Sequence, residues 1–150
     1  GTGSANALDD YEEGTWTPVL DFRDSSTGSL NYNKQTGRYI KVGGLVFVSA
    51  FVGWNQNNFT ASAGSLQLEG LPFAHANQNL YRGGLNITYS EDVWTGVTIY
   101  QSAFRAETGE TNFIFNFSDG TDGSMNTTIT SRTQVQSSGA FMVTGTYSTV

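Results

Sequence analysis

The stretch LVFVSAFVGW, residues 45–54, decides the fold class of this 150-residue chain. It is rich in Val and Phe, and it contains no charged residue. An apolar run of this length is too short to cross a bilayer as a helix, and its β-branched and aromatic residues favour a strand. Because apolar residues occupy both sets of alternating positions, the pattern predicts a central strand that is buried on both faces.

Other short segments alternate between apolar and polar residues. In residues 112–117 the side chains of Phe113, Phe115 and Phe117 fall on one face of a predicted strand. Clusters of Gly, Ser, Asn and Asp separate the segments and favour turns, and KQTGR, residues 34–38, is predicted to turn at Gly37. The remaining predicted strands are residues 16–22, 30–33, 38–42, 65–69, 80–89, 97–100 and 139–147.

About eight to ten short strands separated by turns are typical of a sandwich or a barrel. We therefore predict an all-β fold, a jelly-roll-like antiparallel β-sandwich with a short extended N-terminal neck. Residues 1–14 are predicted to be a linker or neck from an upstream shaft, and residues 15–150 a head domain. Trp16 is predicted to be the first buried residue of the head.

Composition and charge argue against several classes of function. The chain has no Cys, which removes disulfides and thiolate metal sites. Its net charge is −6, and its seven Lys and Arg residues are scattered, so we expect no nucleic-acid partner. No apolar run is long enough for membrane insertion, and no motif indicates a cofactor.

Two acidic stretches are candidate metal sites. LDDYEEGTWTP, residues 8–18, places four carboxylates within five residues, but no His or fuller oxygen shell accompanies them. DGTDG, residues 119–123, offers two carboxylates and lacks the Glu that would complete a calcium loop. We predict that the first stretch points into water, that the second is a turn, and that the chain has no metal site.

Three separated blocks carry a resemblance to a known family. ANALDDYEEGTWTP (5–18), YNKQTGRYIKVGGLVFV (32–48) and LEGLPF (68–73) occur in this order, and together they resemble the C-terminal domain of bacteriophage tail fibre and tailspike proteins. The resemblance covers roughly the first half of the chain, and no family motif follows Asn77. It implies a β-sandwich head at the distal end of a homotrimeric fibre in the virion, with a role in host recognition, trimer closure or both.

Catalytic candidates are few. His75 is the single His, no G-x-S-x-G motif is present, and a polar loop histidine is the favoured interpretation. The acidic pairs that could serve in glycoside hydrolysis are Glu91 with Asp92 and Glu107 with Glu110, and both pairs are expected to be solvated. We predict that the chain is not an enzyme.

Carbohydrate binding requires an exposed aromatic ring beside polar side chains. Three segments fit this requirement, although each Trp could instead be a core or trimer-axis residue. The predicted ligand-binding residues are Trp94 with Asp92 and Glu91, Trp54 with Asn55 and Gln56, and, as a weaker candidate, Tyr81 with Arg82. The resulting hypothesis is a non-enzymatic head that binds bacterial surface polysaccharide. The alternatives are a trimerisation cap without a ligand and, ranked lower, a polysaccharide-degrading domain.

Overall fold

The computed structural model describes residues 10–77, 83–106, 109–121, 124–125 and 127–149, without the side chains of residues 25 and 26. Within these ranges the chain is built of short and long strands and one 3-10 turn, and no described helix is long and apolar enough to cross a membrane. The elements are β1 Tyr11–Trp16, β2 Val19–Phe22, β3 Ser25–Thr27, β4 Leu30–Val42, β5 Leu45–Asn57, β6 Ala61–Ala63, β7 Leu66–Glu69, β8 Gly84–Glu91, β9 Gln101–Ala106, β10 Asn112–Ser118, the 3-10 turn Arg132–Gln134, and β11 Gly139–Ser148.

Nine strands form one antiparallel sheet in the order β1-β4-β5-β11-β8-β9-β10-β7-β2, and β3 pairs with β6 in a small separate sheet. The first and last strands of the large sheet, β1 and β2, are joined by Thr17 and Pro18 alone, so the sheet must curl back on itself. The all-β, sandwich-like prediction is confirmed. The two layers, however, are halves of one continuous sheet: β1, β4, β5, β11 and β8 form the first layer, and β9, β10, β7 and β2 form the second.

Side chains of β4 complete the closure at the free edge of β2. The Tyr32 hydroxyl accepts a hydrogen bond from the Leu20 amide at 2.9 Å and lies 3.3 Å from the Leu20 carbonyl oxygen. Nearby, Gln35 Nε2 donates to the Pro18 carbonyl oxygen at 3.0 Å. These bonds satisfy backbone groups that an edge strand would otherwise leave exposed.

The core lies between the two layers and is rich in aromatic rings. The three Phe residues of β10 are buried, which confirms the predicted face of that strand. The Phe104 ring lies 5.3 Å from Phe115 and 5.7 Å from Phe141, measured between centroids. Because Phe113 also contacts Tyr147 of β11 at 5.7 Å, the aromatic cluster joins the second layer to the first.

The prediction that residues 45–54 are buried on both faces is wrong. Val46, Val48 and Val52 of β5 point into the core and are fully buried. On the opposite face Leu45 is 55% exposed and Phe47 is 43% exposed. No other described element of this chain covers that face, which we call the outer face of the first layer.

The predicted turn at residues 34–38 is also wrong, because β4 runs unbroken from Leu30 to Val42. Gly37 is buried in this strand, and a Cβ at this position would overlap the indole of Trp16. The glycine is therefore needed for the close approach of a ring to the backbone rather than for a turn. Trp16 is buried as predicted, and its Nε1 donates to the Arg38 carbonyl oxygen at 3.3 Å.

The sheet begins inside the segment that was predicted to be a neck. Strand β1 pairs with β4 from Tyr11 opposite Val42 to Trp16 opposite Gly37, so residues 11–14 belong to the sheet. Residues 1–9 lie outside the described ranges. Asp10, Glu12 and Glu13 are exposed, in agreement with the expectation that the acidic stretch points into water.

Several other strand predictions differ from the structure at their limits. Residues 97–100 form no regular strand, and β9 begins directly after them, at Gln101. Strand β8 is described from Gly84, and residues 80–82 of the predicted strand lie outside the described ranges. The polar stretches around residues 25 and 62, which lie between predicted strands, pair as β3 and β6.

Candidate functional site

The outer face of the first layer carries a row of polar side chains across five strands. In an antiparallel sheet, residues that are directly paired point to the same face. Thr15 pairs with Arg38, Arg38 with Ser49, Ser49 with Thr144, and Thr144 with Asn86. We call these five residues the polar row.

Two adjoining concavities of about 690 and 400 Å³ form a trough along this face. Volumes of this size lie within the range of small-molecule sites. Both concavities include Thr15, Arg38 and Ser49, so the polar row crosses the trough. The other outer-face side chains that line it include Glu13, Thr36, Ile40, Phe47, Phe51, Thr88, Met142 and Thr144.

Arg38 is the cation of the trough. Its side chain is exposed, and within the described residues its guanidinium forms no hydrogen bond or ion pair. Its backbone is held in place because its carbonyl oxygen accepts the bond from the buried Trp16 indole. The position of Arg38 on β4 is therefore fixed. Its guanidinium has five N–H donors, which form no hydrogen bond within the described residues, and it lies between the hydroxyls of Thr15 and Ser49.

One end of the same face is apolar. Tyr11, Val42 and Leu45 are in register across three strands, and Ile40 is paired with Phe47 in the next row. All five side chains are exposed, and we call them the apolar end. A contiguous exposed apolar patch on a sheet is typical of an interaction surface.

Hydrogen bonds to carboxylates fix tyrosines on both faces of strands β1 and β4. Tyr11 donates to Glu13 Oε2 at 2.7 Å, and Tyr39 donates to Glu12 Oε1 at 2.6 Å. Each bond raises the pKa of the tyrosine because the neutral phenol is the donor. Glu12 and Glu13 therefore orient side chains at the start of β1, in addition to facing water.

The predicted site around Trp94 is only partly assembled. Glu91 and Asp92 are exposed at the end of β8, and Tyr89 donates a hydrogen bond to Glu91. The Trp94 ring is half-buried and packs on Phe115, with centroids 4.3 Å apart. Trp94 thus contributes to packing at the rim of the core, and its indole is not the freely exposed ring that the prediction required.

The prediction that Trp54 is an exposed aromatic surface is wrong. Its side chain is 1% exposed, and its Nε1 donates to the Gln136 carbonyl oxygen at 3.1 Å. Asn55 and Gln56 follow it and are exposed, but they have no accessible indole beside them. Tyr81 and Arg82, the third predicted pair, lie outside the described residues.

His75 lies in a loop, as predicted, but it is not solvated. It is buried, its Nε2 lies 2.8 Å from the Asn112 carbonyl oxygen, and its ring lies 4.6 Å from the rings of both Phe113 and Tyr147. Among the acidic candidates, Glu110 is exposed and Glu107 lies outside the described ranges. The described residues contain no group of three or more His, Asp or Glu side chains that could hold a metal ion.

The acidic turn at residues 119–123 is described in part. The Thr121 amide donates to Asp119 Oδ1 at 2.9 Å, the local bond of an Asx turn. Asp122 and Gly123 lie outside the described residues. The described part agrees with the prediction of a turn.

The trough residues were missed because they come from separate strands. Thr15, Arg38, Ser49 and Thr144 are unremarkable polar residues in the sequence, and only the register of β1, β4, β5 and β11 places them side by side. One local signal was available: Ser49 is the single polar side chain in the apolar stretch 45–54.

Comparison with known proteins supports the fold. No family model matches the chain, and no curated protein matches it. Among solved structures, the chain is similar to the crystal structure of the Dettilon tailspike protein (gp208), with a TM-score of 0.66 and 17% sequence identity. The match covers 92% of this chain and 24% of that one, so this chain spans about a quarter of the tailspike's length. At this identity the likeness establishes a shared fold.

Proposed function

We propose that this chain is a non-enzymatic domain of a bacteriophage tailspike or tail fibre, located at the distal end of the fibre in the virion, and that it binds bacterial surface carbohydrate in the outer-face trough. Two independent observations support the phage assignment: the three sequence blocks in the first half of the chain, and the fold shared with a tailspike protein. The observation that carries the binding proposal is the unpaired Arg38 guanidinium between hydroxyls in a trough of suitable size.

The chemistry of the trough matches that of a sugar. Sugars present hydroxyl groups at their rims and apolar C–H groups on their faces. Thr15, Ser49 and Thr144 offer hydroxyls that both donate and accept, and Arg38 offers donors only. Phe51 and Met142, which lie in register in the next row, supply apolar surface.

The non-enzymatic part of the proposal is supported by the carboxylates of the trough. Hydrolysis of a glycosidic bond normally uses two carboxyl groups on opposite sides of the bond. Among the described residues that line the trough, Glu13 is the single carboxylate. Incubation of the purified domain with host polysaccharide is expected to release no reducing ends, and their release would contradict this part of the proposal.

The binding proposal is tested with capsular polysaccharide and lipopolysaccharide purified from a panel of bacterial strains and immobilised on biosensor tips. Loss of a charge-assisted hydrogen bond typically weakens binding at least tenfold, and we expect this loss for Arg38→Ala. Lys34→Ala is the matched control, because Lys34 is an exposed cation on the same strand that does not line the trough. Equal binding by wild type and Arg38→Ala, or no binding to any polysaccharide of the panel, would reject the trough as the site.

A second candidate function is self-association, as in the homotrimer that the family resemblance implies. The specific observation in its favour is the apolar end, where Leu45 and Phe47 are among five exposed apolar side chains. Strand β1 starts within this patch at Tyr11, so the chain enters the sheet beside the surface that copies would share. A structural cap without a ligand would need this patch and not the polar row.

Light scattering after size exclusion separates the two functions. Wild type is expected to elute as a trimer. Leu45→Asp alters the apolar end at a residue that does not line the trough, and it is expected to elute as a monomer with an unchanged circular dichroism spectrum. Tyr100→Asp is the control, because Tyr100 is an exposed aromatic residue outside the apolar end. A trimer that binds no polysaccharide would favour the cap, and a wild-type monomer would contradict self-association.

A further inference from the structure

The outer face of the second layer brings four oxygen-bearing side chains together. Gln67 and Glu69 are two residues apart on β7, and their neighbours Leu66 and Leu68 point into the core, so both polar side chains point outward. Asn112 of β10 is paired with Glu69, and Asp21 of β2 is paired with Gln67. We call Asp21, Gln67, Glu69 and Asn112 the oxygen cluster.

Two amide oxygens of the oxygen cluster are buried without a hydrogen-bond donor. Gln67 is 4% exposed, its Nε2 donates to Glu69 Oε1, and its Oε1 has no partner. Asn112 Oδ1 is buried and likewise has no partner. Reversing the Gln67 amide would place its oxygen against the Glu69 carboxylate, so the observed orientation is the favourable one. Buried acceptors of this kind require a donor or a cation.

The charged groups of the oxygen cluster also favour a bound cation. Asp21 and Glu69 place two carboxylates in the cluster, on the neighbouring strands β2 and β7. Within the described residues Glu69 forms no ion pair. Arg105 lies beyond Ile114 in the same cross-strand row, and its Nε donates to Asn116 Oδ1 at 3.2 Å.

We propose that the oxygen cluster binds a calcium ion, with Glu69, Gln67 Oε1 and Asn112 Oδ1 as ligands and Asp21 as a further carboxylate beside them. Calcium accepts carboxylate and amide oxygens together with water in a flexible shell, whereas magnesium demands a regular octahedron and keeps several waters. The ion would give both orphaned oxygens a partner and would offset the negative charge of Glu69. It would also tie β2, β7 and β10 together, on the layer opposite the trough.

Thermal unfolding of the EDTA-treated chain tests the site. Addition of CaCl₂ at constant ionic strength is expected to raise Tm in a saturable way, by roughly 3–6 °C at ten times the dissociation constant, which for sites of this type is about 0.1–1 mM. MgCl₂ at equal concentration is expected to have a smaller effect. Glu69→Gln should abolish the calcium response, because it removes the anionic ligand and retains the shape of the side chain.

Glu91→Gln is the matched control, since Glu91 is an exposed carboxylate on the outer face of the first layer, and this variant should respond as wild type does. Terbium luminescence sensitised by the protein and competed away by calcium gives a second readout that does not depend on stability. The proposal is overturned if wild type shows no Tm shift at about 10 mM calcium, a concentration above the weak sites of this class. It is equally overturned if Glu69→Gln keeps the response, or if magnesium acts as strongly as calcium.

Discussion

The two layers of the sheet share one core but have opposite outer faces. On the first layer Leu45 and Phe47 are exposed although their strand lies well inside the sheet. On the second layer Ile114 is 3% exposed, and Gln67 and Asn116 beside it are also buried, although all three point away from the core. Exposed apolar patches and buried polar groups are the informative features of a protein. Here the exposed apolar patch lies on the outer face of the first layer, and the buried polar side chains Gln67 and Asn116 lie on the outer face of the second.

The difference indicates where substitutions should act. The first layer leaves apolar and hydroxyl side chains free, so changes there should alter binding and association more than folding. The second layer has a closed outer face with polar groups inside it, such as Asn116, which accepts a bond from Arg105. Changes in that layer should act on stability, because a buried side chain or hydrogen bond is lost within the chain itself.

The largest expected change in stability is on the outer face of the second layer. Ile114→Ala should lower the free energy of unfolding by about 2–4 kcal/mol, because it leaves a cavity where the side chain is buried. Ile40→Ala makes the same chemical change on the outer face of the first layer, and it should lower the free energy of unfolding by less than about 1 kcal/mol. Urea denaturation of both variants measures the contrast. If the two variants lose equal stability, the layers do not differ in the way their exposure indicates.

Local patterns predicted the inner face of the sheet well and the outer faces poorly. The alternation of Phe113, Phe115 and Phe117 correctly predicted a buried face, since period two is a property of any strand that packs on a core. The apolar run at residues 45–54 predicted a strand correctly, but it could not show whether a second layer covers Leu45 and Phe47. That depends on which strands pair and how the sheet curls.

The prediction that the Trp54 ring is exposed was wrong for a related reason. A search for exposed Trp residues selected Trp54 and Trp94, yet burial of a ring is decided by contacts that are distant in sequence, such as Gln136 and Phe115. Gly37 was assigned to a turn because a glycine for a turn and a glycine for a close ring contact look alike in sequence. The trough was beyond reach because it requires the register of several strands.

A smaller effect is expected where the sheet closes. Tyr32→Phe removes the hydroxyl that bonds the Leu20 amide at the edge of β2, and it should lower the free energy of unfolding by about 1–3 kcal/mol. Tyr89→Phe is the control. The Tyr89 hydroxyl bonds an exposed carboxylate on the outer face of the first layer, so its loss should change the free energy of unfolding little. Guanidinium titrations of the two variants measure this difference, and a larger loss for Tyr89→Phe would contradict the closure by Tyr32.

Tyr32 also predicts a loss of stability in alkali. Burial raises the pKa of Tyr32 from 10.0 to about 12, so the folded protein keeps the phenol proton where the unfolded chain releases it. The stabilising contribution is therefore fully present below pH 10 and is lost as the pH rises through 12. Burial raises the pKa of Tyr147 as well, so Tyr32→Phe should remove part of the alkaline loss. The decrease in stability between pH 9 and 11.5, measured by denaturation, should be smaller in the variant than in wild type.

The smallest expected change in stability concerns Glu69 in the oxygen cluster of the second layer. Because burial raises the pKa of Glu69 above its ordinary 4.5, its contribution to stability is fully present below pH 4.5 and is lost as the pH rises through the folded value. Glutamine resembles the protonated side chain at every pH. In EDTA, Glu69→Gln should therefore match wild type at pH 4 and exceed its stability at pH 7 by less than about 1 kcal/mol, given the partial exposure of the carboxyl. Saturating calcium at pH 7 should reverse this order, since only wild type retains the anionic ligand. A variant that is less stable than wild type at pH 7 without calcium would mean that the Glu69 charge is already compensated within the chain.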